Sequence, residues 1–531
     1  MKIVVAEKIS QSAIDLLRQQ SDWTVVTAEQ IAGNLPAHLK TADALIVRSA
    51  VMADEKLLQD VDKLRVIGRA GVGVDNVDLD AATKKGICVM NTPGANAVAV
   101  AEHTLGLMIA MARFTPRADA SMHVGKWDKK SLQGTELRNK TLGIIGLGRI
   151  GVEVAKRAKA FQMTIIAHDP FISAAAAEQM GVKLLPLDDV FAKSDYITLH
   201  LGLTPQTHGL INAQTIEKMK KGVRIVNCAR GELIDEAALA DGLKSGKLGG
   251  AALDVFCQEP PAQDGPLASA PNLIMTPHLG GSTAEAQEAV GVQIAQQILE
   301  YLAHGVIQNA VNVPSVTEEE YAQMQPYIVL AERMGAFLAQ ATEGGLEEIG
   351  IRYSGRIACW KTDLVRNAGV MGVLNQMLSD RANLVNAASV AESRGIRVLE
   401  QKEPENGNGV GDGITMRVKT GTQELLVRGA VLHGNSPRLL AIDKIDIEAR
   451  LEQSLIYLRN RDVPGVVGQV GTILAKHGVN IANFSLGRPE ENGHGTREAV
   501  SVVRVDGPIP EGVLQDLKKI EAVTLAKRII L

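Results

Sequence analysis

Three residues of this chain carry side chains suited to removing a proton beside a carbon that loses a hydride: Arg230, Glu259 and His278. Each stands just beyond an apolar, strand-like run. Arg230 follows Val226-Asn227-Cys228-Ala229, Glu259 follows Asp254-Val255-Phe256, and His278 follows Met275-Thr276-Pro277. Oxidising a secondary alcohol needs a base for the hydroxyl proton, a carboxylate that holds the base in one tautomer, and a cation for an α-carboxylate. His278 suits the first role, Glu259 the second, and the planar fork of Arg230 the third. The same residues also fit a structural ion pair between Arg230 and Glu259 with His278 as an ordinary loop histidine, and spacing alone leaves both open.

An acceptor for the hydride is indicated upstream. Leu142-Gly143-Ile144-Ile145 is an apolar run that ends in the spacing G-x-G-x-x-G at Gly146, Gly148 and Gly151. Val152-Glu153-Val154-Ala155-Lys156-Arg157-Ala158 then has the apolar period of a helix. Gly146 permits a tight turn, Gly148 lets backbone approach a pyrophosphate, and Gly151 lets helix and strand pack closely. Thr164-Ile165-Ile166-Ala167-His168-Asp169 supplies the second strand and the carboxylate expected about twenty positions on, placed for an adenosine ribose. No Arg directly follows Asp169, which favours NAD over its 2′-phosphorylated relative.

Parallel strands must position these groups. From Met1 to about Met90, the runs Ile3-Val4-Val5, Ala44-Leu45-Ile46-Val47, Val66-Ile67 and Ile87-Cys88-Val89 alternate with helical stretches at 12–20 and 54–61. A long apolar helix at 97–113 leads to the glycine motif, and further β/α units follow it. A chain of 531 residues is too long for one core. Boundaries are expected at 1–96 with 283–312, 97–282, 317–450 and 453–531, the helix at 283–303 returning to the first domain. The fold class expected is α/β: two Rossmann-like parallel-sheet domains, then an α+β domain, then a ferredoxin-like βαββαβ domain whose exposed sheet edges invite a second copy. The glycine-rich run 406–413 reads as a flexible turn, because no strand-to-helix frame surrounds it.

Composition excludes several classes. Hydrophobic residues make up 46% and charged residues 22%, the balance of a globular protein, and the net charge of −4 comes without a polybasic tract, so neither nucleic acid nor an anionic membrane is an expected partner. Cys88, Cys228, Cys257 and Cys359 are scattered without a C-x-x-C, which indicates reduced thiols in a cytoplasmic protein and no metal site. The first residues read as a strand rather than a signal peptide.

The segments Gly68-Arg69-Ala70-Gly71-Val72-Gly73-Val74-Asp75-Asn76, Leu147-Gly148-Arg149-Ile150-Gly151, Val226-Asn227-Cys228-Ala229-Arg230-Gly231, Ala252-Leu253-Asp254-Val255-Phe256 and Pro277-His278-Leu279-Gly280 resemble the D-isomer-specific 2-hydroxyacid dehydrogenases. The remainder resembles the long form of that family, with an intervening domain and a C-terminal ACT domain. The resemblance assigns Arg230, Glu259 and His278 the roles above, with His278 as proton acceptor, and implies NAD contacts from Arg149, Ile150, Asp169, Cys228, Asp254 and the backbone near Gly280. Val72 and Leu201-Gly202 depart from the family pattern, so a side-chain hydroxyl contact to the cofactor is not expected there.

Arg48 and Arg69 end strand-like runs of the first domain, and two guanidinium groups there suit a phosphate on carbon 3 of the substrate. The resemblance adds Asn96 as a substrate contact and Lys129 as a residue reaching a neighbouring subunit. It implies oxidation of 3-phospho-D-glycerate to 3-phosphohydroxypyruvate, the entry to L-serine synthesis, in a homodimer or homotetramer. In the ACT domain it points to Asp462 and Asn480 as contacts for an effector, L-serine, although Pro-Gly and Asn turns satisfy both positions equally. Arg438 and Lys444 of the intervening domain read as surface charge. The rival readings are a hydroxypyruvate or glyoxylate reductase and an NAD-sensing corepressor on the same fold.

Overall fold

The computed structural model describes residues 1–314, 316–377, 382–404, 411–489 and 498–531. Four sheets organise them. The first contains β1 (Lys2–Val5), β2 (Thr24–Val26), β3 (Ala44–Val47), β4 (Val66–Arg69) and β5 (Cys88–Met90), all parallel in the order β2-β1-β3-β4-β5. All four residues of β3 are buried, as expected of a strand covered on both faces. The order reverses between β1 and β3. There the Glu7 carboxylate accepts the backbone N–H groups of Arg48, Ala50 and Val51 at 2.8–3.1 Å and fixes the turn that ends β3.

The second sheet contains β6 (Thr141–Ile145), β7 (Thr164–His168), β8 (Lys183–Leu184), β9 (Tyr196–Leu199), β10 (Val223–Asn227), β11 (Leu248–Leu253) and β12 (Leu273–Met275). It too is wholly parallel, in the order β12-β11-β10-β9-β6-β7-β8, and its order reverses between β6 and β9. Ligands of such sheets sit beyond the carboxyl ends of the strands at that reversal. Helix Ala97–Ala112 enters this sheet's core through Ala101, Leu105 and Met108. Helix Ala284–His304 packs instead with Ile3 and Val5 of the first sheet through Val290, Ile294 and Ile298.

The third sheet is mixed: β13 (Leu346–Ser354), β14 (Arg397–Glu403), β15 (Gly413–Thr420), β16 (Glu424–Leu432), β17 (Ser436–Ile442) and β18 (Ile445–Ala449), ordered β14-β13-β15-β16-β17-β18. Helices Glu318–Ala341 and Asp363–Met377 share its core. The fourth sheet, β19 (Ser454–Arg461), β20 (Ile481–Gly487), β21 (Glu498–Val505) and β22 (Val523–Ile530), is antiparallel in the order β20-β21-β19-β22. With helices Val466–Lys476 and Glu511–Leu517 it forms the expected ferredoxin-like βαββαβ unit.

Several details differ from expectation. The helix expected at 54–61 is confined to Glu55–Leu58, and the short strands β2 and β8 carried too few residues to register as periodic runs. The edges of the fourth sheet are not bare: Ser485 Oγ donates to Glu448 O of β18, and Gln340 exchanges two 2.9 Å hydrogen bonds with the Ile530 backbone. The chain thus shields its own edge strands, an alternative to pairing with a second copy. Of the glycine-rich run, residues 406–410 lie outside the described residues, while Gly413 opens β15. Among the described residues no single helix is long and apolar enough to cross a membrane.

Candidate active site

Arg230, Glu259 and His278 converge at the carboxyl edge of the second sheet. Asn227, the last residue of β10, accepts the Ala229 N–H at 3.0 Å and donates to Arg230 O at 2.8 Å, bracketing the loop that presents the guanidinium. Glu259 lies beyond β11 and accepts the Phe256 N–H through Oε1 at 3.2 Å. Its Oε2 stands 2.8 Å from His278 Nδ1. A carboxylate only accepts, so Nδ1 carries the proton and Nε2 presents a lone pair. His278 has φ +53°, a left-handed conformation that costs a non-glycine residue about 1–3 kcal/mol and persists only where its surroundings impose it.

Asp254 imposes it. Its side chain, 1% exposed, lies just past the end of β11. Oδ1 accepts from Thr276 Oγ1 at 2.6 Å and Leu279 N at 2.8 Å, and Oδ2 from Gly280 N at 2.8 Å. Burial alone would raise this carboxyl, yet hydrogen bonds from His103, Thr276, Leu279 and Gly280 hold it below its ordinary value. The loop carrying His278 is therefore stapled to β11 on both sides of the histidine.

Two adjoining cavities meet here. One, of about 270 Å³, is lined by Ile150, His200, Cys228, Arg230, Asp254 and Gly280; the other, of about 480 Å³, by Arg48 and Glu259; Arg69, Asp75, Asn96 and His278 line both. Arg48 directly follows β3 and Arg69 ends β4, so the clefts of the two parallel sheets face each other. Burial and then the neighbouring Arg230 draw Arg69 below its ordinary value, while Asp75 and Glu7 oppose them. Arg69 Nε and Asn96 Oδ1 are buried with no hydrogen-bond partner among the described residues. A concentration of guanidinium groups with unmet hydrogen bonds is a site for a multiply charged anion.

Sequence reasoning missed four residues here. Asp75 accepts from Arg230 Nε at 3.1 Å and so occupies the fork expected to bind a carboxylate. Gly73 makes the approach possible, since a Cβ there would stand 2.0 Å from Arg230 Nη2. His200, just past β9, is buried and pushed down to about 3 by that burial, hence neutral. His103 touches Asp254. Asp75 stands inside a quoted motif, so its carboxylate beside Arg69 was an available signal.

The glycine turn fits a dinucleotide. Gly146 has φ +93°, and a Cβ there would meet His200 O at 2.4 Å. A Cβ on Gly151 would stand 2.1 Å from Gly146 O, whereas Gly148 faces open space. Helix Arg149–Ala160 therefore begins with its free N–H groups towards a cradle that side chains would fill. Asp169 is fixed beside the turn, accepting Leu147 N at 2.7 Å and Phe171 N at 2.8 Å. Arg149 extends against Gly94 in the segment that follows β5. Cys228 is buried and its thiol pushed up to about 12, so it contributes shape rather than a thiolate.

The two ACT-region residues do not meet. Asp462 lines a cavity of about 380 Å³ with Val463, Pro464, Gly465, Arg488 and the buried Ser501, and pairs with Arg488 at 3.5 Å. Asn480 lies outside that lining and donates to Asp506 at 2.7 Å. Arg438 is largely buried and pairs with Glu448 at 3.6 Å, unlike the surface charge expected, while Lys444 is exposed.

Comparison with known proteins adds three family matches: "D-isomer specific 2-hydroxyacid dehydrogenase, NAD binding domain" over residues 105–280, "D-3-phosphoglycerate dehydrogenase intervening domain" over 323–443, and "ACT domain" over 454–522. The D-3-phosphoglycerate dehydrogenase of Methanocaldococcus jannaschii is 42% identical, covering 98% of both chains, and that of Bacillus subtilis is 37% identical over 99% of both. Among solved structures, TT0316 from Thermus thermophilus matches 59% of this chain and 100% of its own at 34% identity and TM-score 0.53. D-lactate dehydrogenase from Aquifex aeolicus, complexed with NAD and lactic acid, matches 59% and 100% at 28% identity and TM-score 0.52. Full-length similarity, three matched domains in order and a cleft built from two parallel sheets lead to one assignment: the chain belongs to the D-3-phosphoglycerate dehydrogenase family.

Proposed function

We propose that the chain catalyses NAD-dependent oxidation of 3-phospho-D-glycerate to 3-phosphohydroxypyruvate, the first step of L-serine biosynthesis. The observation that carries this reading is the meeting of the 2.8 Å His278–Glu259 pair with Arg230, Arg69 and Arg48 around adjoining cavities beside the glycine turn. Gly146, Gly148, Arg149, Ile150, Gly151, Asp169, Cys228, Asp254 and Gly280 hold NAD, which supplies the hydride acceptor. The substrate carboxylate takes the Arg230 fork in place of Asp75. His278 Nε2 accepts the hydroxyl proton, and Glu259 stabilises the imidazolium that forms. Arg48 and Arg69 bind the phosphate, and Asn96 donates or accepts at the substrate's polar groups.

The domain division is 1–96 with 283–312 for substrate, 97–282 for NAD, 317–450 for the intervening domain and 453–531 for the ACT domain. The enzyme works in the cytoplasm, with its cysteines as free thiols, as a homodimer or homotetramer. Met122, Val124 and Trp127, at 54%, 69% and 81% exposed, precede Lys129 in the chain, and pairing of two NAD domains would cover them. L-serine binds in the ACT region to Asp462 of one copy and Asn480 of another. Steady-state kinetics with 3-phospho-D-glycerate, D-glycerate and glyoxylate, with and without serine, test the reading: preference for the phosphorylated acid supports it, and a preference for glyoxylate reduction replaces it.

A further inference from the structure

His103 lies in the second turn of helix Ala97–Ala112, away from the cavity lining, and none of the roles above uses it. Its Nε2 stands 3.1 Å from Asp254 Oδ1 and 3.2 Å from Thr276 Oγ1. Because the carboxylate only accepts, His103 donates from Nε2, joining Thr276 Oγ1, Leu279 N and Gly280 N around one anion. The helix that carries it begins directly after Asn96, the substrate contact of the first domain, and packs into the core of the second sheet. The hydrogen bond therefore joins the inter-domain helix to the loop that holds His278 in its left-handed conformation.

We infer that His103 is a positioning residue for the proton-transfer step, acting through Asp254 to set the loop at 276–280 and with it the imidazole of His278. It touches neither reacting atoms nor cavity. A carboxylate held by four donors at a buried site is less tightly oriented when one donor is removed, because a constraint is lost and an acceptor site is left unfilled. Displacement of a base by a fraction of an ångström is felt directly in the rate of proton transfer. Cys228 Sγ lies within 4.8 Å of a ring nitrogen of His103 and a carboxylate oxygen of Asp254, giving the three the outline of a metal site. Asp254 already accepts four donors and the Cys228 thiol is held protonated by burial, so the group is a hydrogen-bond network.

The inference rests on His278 as the proton acceptor, and its test keeps the two separable. Hydrogen exchange of peptides spanning 276–281 is measured on wild type, His103→Ala and His103→Gln, alongside kcat and KM with 3-phospho-D-glycerate and NAD. In His103→Ala, exchange of the loop amides rises about tenfold, kcat falls about tenfold and KM for the acid stays within about twofold. His103→Gln, which keeps an N–H donor, recovers most of both losses. In an Asp254→Asn background, His103→Ala adds nothing further, since the partner through which it acts is already changed. Wild-type exchange in His103→Ala, a Gln variant no better than Ala, or fully additive losses in the double variant overturns the inference. Failure of the wild type to oxidise 3-phospho-D-glycerate counts against the functional reading alone, because the exchange measurement needs no substrate.

Discussion

The cleft between the first two sheets and the cavity of the last domain were both expected to bind small carboxylates, and they are built differently. In the cleft, groups from separate strand ends are interlocked within one chain: Glu259 holds His278 at 2.8 Å, and Asp254 gathers the loop around it. In the last domain, Asp462 turns to Arg488 at 3.5 Å and Asn480 to Asp506 at 2.7 Å, and the cavity reaches only the first of them. The cleft is preorganised, with Arg69 Nε, Asn96 Oδ1 and His200 Nδ1 buried and without a hydrogen-bond partner among the described residues. The effector region is internally satisfied, so binding there must exchange existing partners for new ones supplied by ligand and a second copy.

The contrast is sharpest at His278. His278→Ala removes a preorganised base, and kcat is expected to fall by about 10³-fold or more, with the dissociation constant for NAD, followed by fluorescence titration, near wild type. Arg69→Ala leaves the base in place but removes a guanidinium from the phosphate side. KM for 3-phospho-D-glycerate rises about 100-fold, while kcat/KM for D-glycerate changes little. Asp462→Ala is milder: the serine concentration for half-inhibition rises about tenfold without abolishing catalysis. Retained inhibition in that variant would break the comparison from the effector side.

A further effect is on stability. His200 is neutral when folded because burial pushes it down to about 3, whereas in the unfolded chain it titrates near its ordinary value of about 6.5. Between those values the unfolded state binds the extra proton. Stability is therefore full above pH 6.5 and is lost as pH falls through the window, at up to about 1.4 kcal/mol per pH unit from this residue. Denaturant titrations across that range should show a shallower slope for His200→Gln than for wild type.

The comparison also explains what could be read from sequence. Parallel strands place their carboxyl ends along one edge, so polar residues just after β10, β11 and β12 were bound to share a cleft once the alternation was recognised. Asp75 and His103 escaped because their partners lie 155 and 151 residues away, and periodicity says nothing about such pairs. Helix Asp363–Met377 escaped because Leu364, Val365, Ala368, Val370 and Val373 are all buried, which leaves no amphipathic stripe. Strand β14, Arg-Val-Leu-Glu-Gln-Lys-Glu, is largely exposed at a sheet edge and shows no alternation. In the last domain the βαββαβ order was legible, yet nothing in the sequence shows that its edges meet the chain's own residues.

The central claim is that the guanidinium groups of the cleft, together with a fixed His278–Glu259 pair, select a phosphorylated 2-hydroxy acid. It is tested most directly by kcat/KM of the wild-type protein with NAD for 3-phospho-D-glycerate and for D-glycerate under the same conditions. A preference of about 10³-fold or greater for the phosphorylated acid is the predicted result. Equal values for the two acids would contradict it.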